Sequence, residues 1–316
     1  MRFPPFLVRS FRVGLLLAMA LLIFPFTQQG QSPYPRQYIT VAGKKMSYTR
    51  FGLTTRRPGS PVLIFEAGFG ASGSIGFKQL FPALSKFAAG IGYDRNGEGG
   101  SEEDTTLVTD GDIIRRLHAF LEAVRVPPPY LLVGHSLGGP FIRLFTALYP
   151  AEVAGLVFID PPDFMLTDEQ THQIDTVVHK DVGAGIIRSL DSTVADTLWG
   201  PLVRHRTRRL ANLFRKGIFQ EYHALPPLPD IPVAILIAYN KPLGTMPRTA
   251  AELARSNVID HFRLENFTTM IGNNHHSELI VLPGYGHIIH GEDPALVVAT
   301  IERIYRSAKG KRRGGS

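Results

Sequence analysis

The sequence predicts an α/β fold in which a mostly parallel, doubly wound sheet carries an inserted helical cap. Short apolar runs such as Val62–Glu66 and Val233–Ala238 are typical of strands that are buried on both faces. Amphipathic stretches such as Asp112–Val124 separate these runs, as in a sheet covered by helices. One long stretch, residues 163–230, has helical patterning without a convincing buried strand, which indicates an inserted cap.

The predicted elements follow one another along the chain. Residues 38–52 form two short strands around a turn at 42–44, and further strands cover 62–66, 88–94, 130–133, 153–160, 232–239 and 279–282. Helices cover 112–124, the stretch from the end of the 130–133 strand to about Tyr149, and 294–307. These elements define a core of residues 38–162 and 231–308, a cap of 163–230 and a basic tail of 309–316.

Composition excludes several classes of protein. The 316-residue chain contains no cysteine, so disulfides, cysteine-ligated metals and thiol nucleophiles are ruled out. The net charge of +7 comes from the two ends of the chain, and without their eight basic residues the rest has 26 basic and 27 acidic residues. Nucleic acid is therefore not an expected partner, because binding it needs a basic face on the fold. The eight are Arg2, Arg9, Arg12, Arg306, Lys309, Lys311, Arg312 and Arg313.

The first 30 residues resemble an export segment. Residues 1–12 are basic, residues 13–26 form an apolar run of 14 residues, and a polar stretch follows. The run is shorter than the roughly 20 residues of a membrane-spanning helix. We expect a cleaved signal peptide and a secreted or periplasmic protein; the alternative is an uncleaved anchor that associates with the membrane.

The sequence from Gly134 to Gly138, GHSLG, has the spacing G-x-S-x-G directly after an apolar strand and before a helix. A turn this tight forces Ser136 into an unfavourable backbone region, and the two glycines relieve the crowding around it. The serine hydroxyl would lie at the N-terminus of the helix, where free N–H groups favour negative charge. This pattern predicts a nucleophilic serine.

A serine nucleophile needs a base. His287 is the best candidate, because it lies in a glycine-bearing loop at the carboxyl end of the last strand, on the same sheet edge as Ser136. His290 is the main rival. His275 and His276 precede the strand and should lie at the opposite edge.

The loop after the 62–66 strand is expected to help bind an oxyanion. The backbone N–H of Phe69 is one predicted donor, and the N–H of Leu137 is the other. The same loop also matches G-x-G-x-x-G, with Asp94 about 20 residues later, so a dinucleotide-binding fold is a competing interpretation. That interpretation leaves the serine motif and the late histidine unexplained.

Over roughly residues 38–308 the order of these motifs resembles the α/β-hydrolase superfamily. GHSLGG around Ser136 is similar to the family's nucleophile elbow, and residues 93–101, YDRNGEGGS, resemble its YDRxGxGxS loop. Phe69 and His287 match the family's oxyanion and base positions, although Glu66-Ala67-Gly68 replaces the commoner His-Gly. The resemblance is specific for the superfamily and poorly specific for substrate.

The acid of the triad is the point where this sequence differs from the usual pattern. Family members usually carry it just after the strand that follows the cap, but here Tyr239-Asn240-Lys241-Pro242 follows that strand. Asp160 is our preferred candidate, because it ends the 153–160 strand at the same sheet edge, and some family members have the acid one strand earlier. The alternatives are Asn240, Glu252, the neighbouring Asp163 and the lack of a working acid.

Taken together, these residues predict a serine hydrolase that cleaves a small-molecule, ester-like substrate through an acyl-enzyme on Ser136. No metal or organic cofactor is required by this chemistry. The same machinery would serve an amidase or peptidase, a lipase or a perhydrolase. A non-catalytic ligand-binding protein with the same fold is the alternative from another class.

Overall fold

The computed structural model describes residues 32–178, 191–192, 219–240 and 250–313. The chain divides into two units, residues 1–35 and 36–316. The predicted export segment and most of the predicted cap lie outside the described residues. Among the described residues, no helix combines the length and apolar character needed to cross a bilayer.

An eight-stranded sheet forms the centre of the second unit, with the spatial order β1-β2-β4-β3-β5-β6-β7-β8. The first two strands pair antiparallel with each other, and β2 pairs antiparallel with β4. All other neighbours are parallel. The strands are β1 Gln37–Val41, β2 Lys44–Phe51, β3 Val62–Glu66, β4 Ala89–Tyr93, β5 Tyr130–His135, β6 Val153–Ile159, β7 Val233–Tyr239 and β8 Glu278–Pro283.

The helices pack on both faces of the sheet. They are α1 Gly73–Gly76, α2 Phe81–Leu84, α3 Asp110–Ala123, α4 Gly138–Leu148, α5 Asp168–Val178, α6 Ala250–Ile271, α7 Ile289–Glu292 and α8 Pro294–Arg313. In β6, Leu156 and Phe158 belong to the hydrophobic cluster that includes α3 and α4. Gly155 lies on the opposite face of β6 and faces α8, since a Cβ on it would lie 3.0 Å from Ile304. The mostly parallel, doubly wound sheet predicted from the sequence is therefore confirmed.

Several predicted boundaries are wrong by a few residues. Strand β5 extends two residues beyond Val133, because Gly134 and His135 continue the parallel pairing with β6. Helix α8 runs to Arg313 rather than ending at residue 307. Its buried side continues at Ala308, and lysine and arginine are good helix formers near a C-terminus. The predicted basic tail is thus partly helical.

The described part of the predicted cap is helical at α5 and contains a 3-10 turn at Gln220–Tyr222. Helix α6, which follows β7 in the chain, packs against α5. The sequence analysis did not predict the 22-residue extent of α6. Its hydrophobic positions do not form one clear stripe, because it packs against both α5 and the sheet.

Candidate active site

Ser136 lies in a turn between β5 and α4 and has φ of 53°, a left-handed value that is uncommon for a residue with a side chain. A Cβ on Gly134 would lie 2.5 Å from the carbonyl oxygen of Gly138, and a Cβ on Gly138 would lie 2.2 Å from that of Glu66. The backbone N–H of Ser136 donates to the carbonyl of Ile159 at 3.0 Å. Residues 134–138, the Ser136 turn, are therefore held by β3 and β6, and their glycines leave no room for side chains.

The loop after β3 lies against this turn. A Cβ on Gly68 would lie 3.2 Å from the Cβ of Ser136, and Phe69 directly follows Gly68 in this loop. Leu137 is the N-cap residue of α4. Neither the Phe69 nor the Leu137 amide donates a hydrogen bond to another described residue. The loop that carries Phe69 thus lies against the Ser136 turn that contains Leu137, and the role of the two amides as oxyanion donors stays a prediction.

Arg95 holds the loop in this position. Its guanidinium donates to the carbonyls of Ala67 and Gly68 and, at 2.6 Å, to the Glu66 carboxylate. Burial raises the pKa of Glu66, and the Arg95 charge opposes this rise. Gly70, which has φ of 68°, donates its N–H to Glu98 at 3.2 Å. Glu66, Ala67 and Gly68, which replace the family's usual His-Gly, are therefore held in place by Arg95 from the loop that follows β4.

His287 and Asp160 form a close pair. Nδ1 of His287 donates to Oδ2 of Asp160 at 2.5 Å, and the histidine side chain is 43% exposed whereas the carboxylate is fully buried. Asp160 follows β6 with φ of 46°, and its N–H donates to the carbonyl of Leu236. With Nδ1 engaged, Nε2 of His287 is left for another group. The structure brings together the histidine and the acid that were preferred from the sequence.

His135 links His287 to the Ser136 turn. Its Nε2 donates to the carbonyl of His287 at 3.0 Å, and the two rings are 4.7 Å apart. Burial and the charge of His290 lower the pKa of His135 to about 3, so its ring is neutral at pH 7. His135 directly precedes Ser136, so this bond joins the loop that carries His287 to the Ser136 turn, although the two histidines are 152 residues apart in sequence.

The rival base, His290, occupies a different environment. Its side chain is buried and stacks near Phe77 and His135, at centroid distances of 4.8 and 4.6 Å. Burial and the nearby charge of His287 lower its pKa to about 4. No described carboxylate contacts it, so it lacks the partner that His287 has. His275, as predicted, lies at the other edge, where its N–H donates to Asp230 ahead of β7.

Arg263 is a member of this site that the sequence analysis missed. Its guanidinium donates to Oδ1 of Asp160 at 2.6 Å and, through its other terminal nitrogen, to Asp260 at 3.0 Å. The N–H of Ala238 also donates to Oδ1 of Asp160. Arg263 lies on α6, 103 residues from Asp160, so no local sequence pattern relates the two.

The other candidates for the acid are Asn240, Asp163 and Glu252. Asn240 donates its N–H to Asp260 at 2.8 Å. Asp163 accepts from the N–H of Met165 and from Asn266, and burial raises the pKa of its carboxyl. Glu252 lies in the first turn of α6. Of the candidate acids whose side chains are described, Asp160 is the one bonded to His287.

The dinucleotide-binding interpretation does not fit the structure. The helix that follows the glycine-rich loop, α1, has four residues, too short to present a helix N-terminus to a pyrophosphate. Asp94 accepts hydrogen bonds from Ser72, Ser74 and the N–H of Gly100, so its carboxylate is used inside the protein. Although burial alone would raise the pKa of Asp94, these donors hold it below its usual value.

In the described part of the chain, no group of three or more histidine or acidic side chains is arranged to hold a metal ion.

The comparison with known families agrees with the geometry. Residues 61–269 match the family described as alpha/beta hydrolase fold. The chain belongs to the α/β-hydrolase fold family. The match covers the Ser136 turn, Asp160 and Arg263, and it ends before His287.

Curated relatives of this α/β-hydrolase-fold chain are similar over shorter stretches. It is 31% identical over 130 residues to the uncharacterized protein YqjL of Bacillus subtilis, covering 39% of this chain and 51% of that protein. It is 29% identical over 123 residues to the human monoacylglycerol lipase ABHD6, covering 36% of this chain and 35% of the lipase. The matched segments thus span about half of the first relative and about a third of the second.

Solved structures share the fold along most of the chain. A serine hydrolase involved in carbazole degradation, CarC, superposes with a TM-score of 0.54 at 18% identity, over 86% of this chain and 98% of that one. At this identity the likeness concerns the architecture.

Proposed function

We propose that this protein is a serine hydrolase that cleaves carboxylic esters through an acyl-enzyme on Ser136. The observation that carries the proposal is the bond between His287 and the buried Asp160, beside the strained Ser136 turn. A carboxylate on Nδ1 fixes the histidine tautomer in which Nε2 accepts a proton. A base of this kind is what a serine hydroxyl requires to become a nucleophile.

In the first half of the reaction, Oγ of Ser136 attacks the carbonyl carbon of the ester while Nε2 of His287 takes its proton. The negative charge that develops on the carbonyl oxygen is stabilised by the N–H groups of Phe69 and Leu137. Asp160 stabilises the imidazolium form of His287. When the tetrahedral intermediate collapses, His287 gives the proton to the leaving alcohol and the acyl group stays on Ser136.

In the second half, His287 removes a proton from water, which attacks the acyl carbon. The second tetrahedral intermediate uses the same two N–H groups. Its collapse returns the proton to Ser136 and releases the carboxylic acid, which restores the free enzyme. Every proton and bond in this cycle is accounted for by the side chains named, the substrate and water.

Two features favour ester cleavage. Serine at position 136 can form an acyl-enzyme, whereas the epoxide hydrolases and dehalogenases of the resembling family use aspartate there. The lipase relative is named for a monoacylglycerol, which is a carboxylic ester. The substrate class is therefore a small-molecule ester.

Active-site labelling tests the nucleophile. A fluorophosphonate probe is expected to label the wild-type protein and to leave Ser136→Ala unlabelled, because only an activated serine reacts. The alternative, a ligand-binding protein with this fold, predicts no labelling of correctly folded wild type. Circular dichroism on both proteins confirms folding. Absence of labelling in folded wild-type protein would refute the proposal.

The acid is tested by a matched pair of variants. Asp160→Asn is expected to lower kcat for nitrophenyl acetate by about 10⁴-fold, the loss seen when the triad acid of a serine protease was changed to asparagine. Asp163→Asn, three residues away and also buried, should retain a rate within a few-fold of wild type. Equal rates in the two variants would remove Asp160 from the mechanism.

A further inference from the structure

A second cleft lies far from the candidate active site. It is bounded by the segment after β2, the turn after α2 and the end of α8, and its volume is about 240 Å³. It opens at the start of β3 and β4, whereas Ser136 follows the end of β5. Five-residue strands separate these two edges by about 16 Å, at about 3.3 Å per residue. We call it the basic cleft because Arg56, Arg57, Lys86 and Lys309 line it.

The charge of this cleft is not balanced. None of its lining residues is acidic, and no described carboxylate forms an ion pair with any of its four cations. Most other described arginines do have a carboxylate partner, as in Arg36, Arg95, Arg115, Arg116, Arg263, Arg303 and Arg306. Four like charges around one hollow repel each other, and a bound anion would relieve this repulsion.

Two of the cations are held in place by contacts other than ion pairs. Arg56 donates to the carbonyls of Ser60, Pro127 and Pro128 at 2.9, 2.9 and 3.3 Å. Partial burial lowers its pKa below the ordinary value. The ammonium of Lys309 lies over the face of the Tyr305 ring, 5.4 Å from its centroid. Side chains that are already held in place lose less conformational entropy when a ligand binds.

Lys309, near the C-terminus of the chain, is one of the residues that line the basic cleft. Lys309 was grouped with a basic tail by sequence, but α8 continues through it and brings it next to Arg56 and Arg57. Guanidinium groups suit tetrahedral oxyanions, because their N–H groups form paired, charge-assisted hydrogen bonds with two oxygens. Ammonium groups add charge without that geometry.

We propose that the basic cleft is a binding site for a phosphate-type oxyanion, presented either by a free phosphate compound or by the headgroup of an anionic phospholipid. The cleft is at the opposite sheet edge from Ser136, so this proposal does not depend on the proposed ester hydrolysis.

The first experiment measures binding of inorganic phosphate to the full chain by titration calorimetry at low ionic strength, where surface charges are least screened. A cleft variant replaces three of the cations with glutamine and keeps Arg56, which braces the backbone. A control variant removes three positive charges elsewhere on the surface. The cleft variant is R57Q/K86Q/K309Q and the control variant is K44Q/R50Q/K78Q.

Wild type and the control variant are expected to bind phosphate saturably, with dissociation constants within about two-fold of each other. The cleft variant should bind at least about ten-fold more weakly, since three of the four charges that hold the anion are gone. Urea unfolding of all three proteins checks that the substitutions leave the fold intact. No saturable binding by wild type, or an equal loss in the control variant, would overturn the proposal.

The second experiment distinguishes the two sources of the phosphate group. Vesicles of phosphatidylcholine, with and without 20 mol% phosphatidylglycerol, are sedimented with the same three proteins, all of which keep the N-terminal segment. Loss of binding to the anionic vesicles in the cleft variant alone, together with competition by inorganic phosphate, supports a lipid headgroup. Saturable phosphate binding with no difference between the variants on vesicles supports a free phosphate compound.

Discussion

The buried carboxylate of Asp160 contacts two groups with different roles. One oxygen accepts from His287 at 2.5 Å, and the other accepts from Arg263 at 2.6 Å. An isolated carboxylate in the core would be costly, and the guanidinium supplies the compensating charge. Arg263 also orients the carboxylate, because it fixes the oxygen that does not contact the histidine.

We therefore expect Arg263→Gln to lower kcat for nitrophenyl acetate by about 10- to 100-fold with KM nearly unchanged, because small misplacements of catalytic groups have effects of this size. Arg263→Lys should recover part of the loss, since it keeps the charge. Steady-state kinetics on the folded fraction measures the split between kcat and KM.

The control for this prediction is Arg116→Gln, which breaks the buried ion pair between Arg116 and Asp104, at 2.7 Å, away from the site. Removing one partner of a buried pair costs about 3–5 kcal/mol, so both variants should be less stable in urea. Only Arg263→Gln should lower kcat. If both variants lowered kcat equally, the effect of Arg263 would be one of general stability.

The Ser136 turn shows how one supersecondary unit is specified by glycine. Strand β5, the turn and α4 are joined so tightly that a Cβ on Gly134 or Gly138 would lie only 2.5 or 2.2 Å from a backbone oxygen. The turn also places Ser136 where the N-terminus of α4 and the loop after β3 meet. The same tight turn gives Ser136 its left-handed φ and leaves the residue partly exposed.

Gly138→Ala is accordingly expected to be strongly destabilising. Its methyl group would lie 2.2 Å from the carbonyl oxygen of Glu66, so β3 or α4 must move. Overpacking of this kind costs about 1–3 kcal/mol or more. Urea unfolding measures the loss, and fluorophosphonate labelling should slow in parallel because the turn is displaced.

Gly76→Ala is the matched control, because a Cβ on this glycine of α1 would meet no atom within 4 Å. Replacing a helical glycine by alanine at a free position is neutral or stabilising by up to about 1 kcal/mol. Similar losses of stability in the two variants would show that crowding does not account for Gly138.

The molecule as a whole separates its charged regions. The buried ion pairs of Arg95 with Glu66 and of Arg263 with Asp160 lie with the candidate site at the carboxyl edge of the sheet, while the basic cleft lies at the other edge. The rings of His135, at the end of β5, and of His287 and His290, after β8, pack against one another, and burial lowers the pKa values of His135 and His290. This packing links the stability of the fold to pH.

We expect the free energy of unfolding to fall as the pH is lowered from about 6.5 to about 4. The pKa of His290 is about 4 in the folded protein against 6.5 when exposed, so the unfolded chain takes up its proton first as the pH falls. At about 1.36 kcal/mol per pKa unit, this one residue accounts for about 3 kcal/mol. The groups around it are His135, His287 and, beyond His287, the Asp160 carboxylate.

Urea unfolding between pH 4 and pH 7 measures this dependence. His290→Gln should reduce the slope of the curve and leave the part due to His135, whose pKa is also lowered, whereas His172→Gln, on the exposed side of α5, should leave the slope unchanged. A wild-type stability that stays constant across this range would contradict the assignment of a neutral, buried His290.

Local sequence patterns were enough to predict the strands, the parallel sheet and the turn at Ser136. Apolar runs and glycine spacing act over a few residues, so they can be recognised without knowing the fold. Boundaries were less certain, as in β5 and α8, because pairing with β6 and burial of Ala308 extend those elements beyond their local signal.

The sequence alone determined the class of fold and drew attention to Ser136, His287 and Asp160. The tertiary structure decided which acid contacts the histidine, and it revealed Arg263 and the basic cleft. Asp160 and His287 are 127 residues apart, and Asp160 and Arg263 are 103 apart. Contacts over such separations depend on the order of strands in the sheet and on how α6 and α8 pack. They are fixed only when the whole chain has folded, which is why the sequence left several candidates for the acid and gave no sign of Arg263.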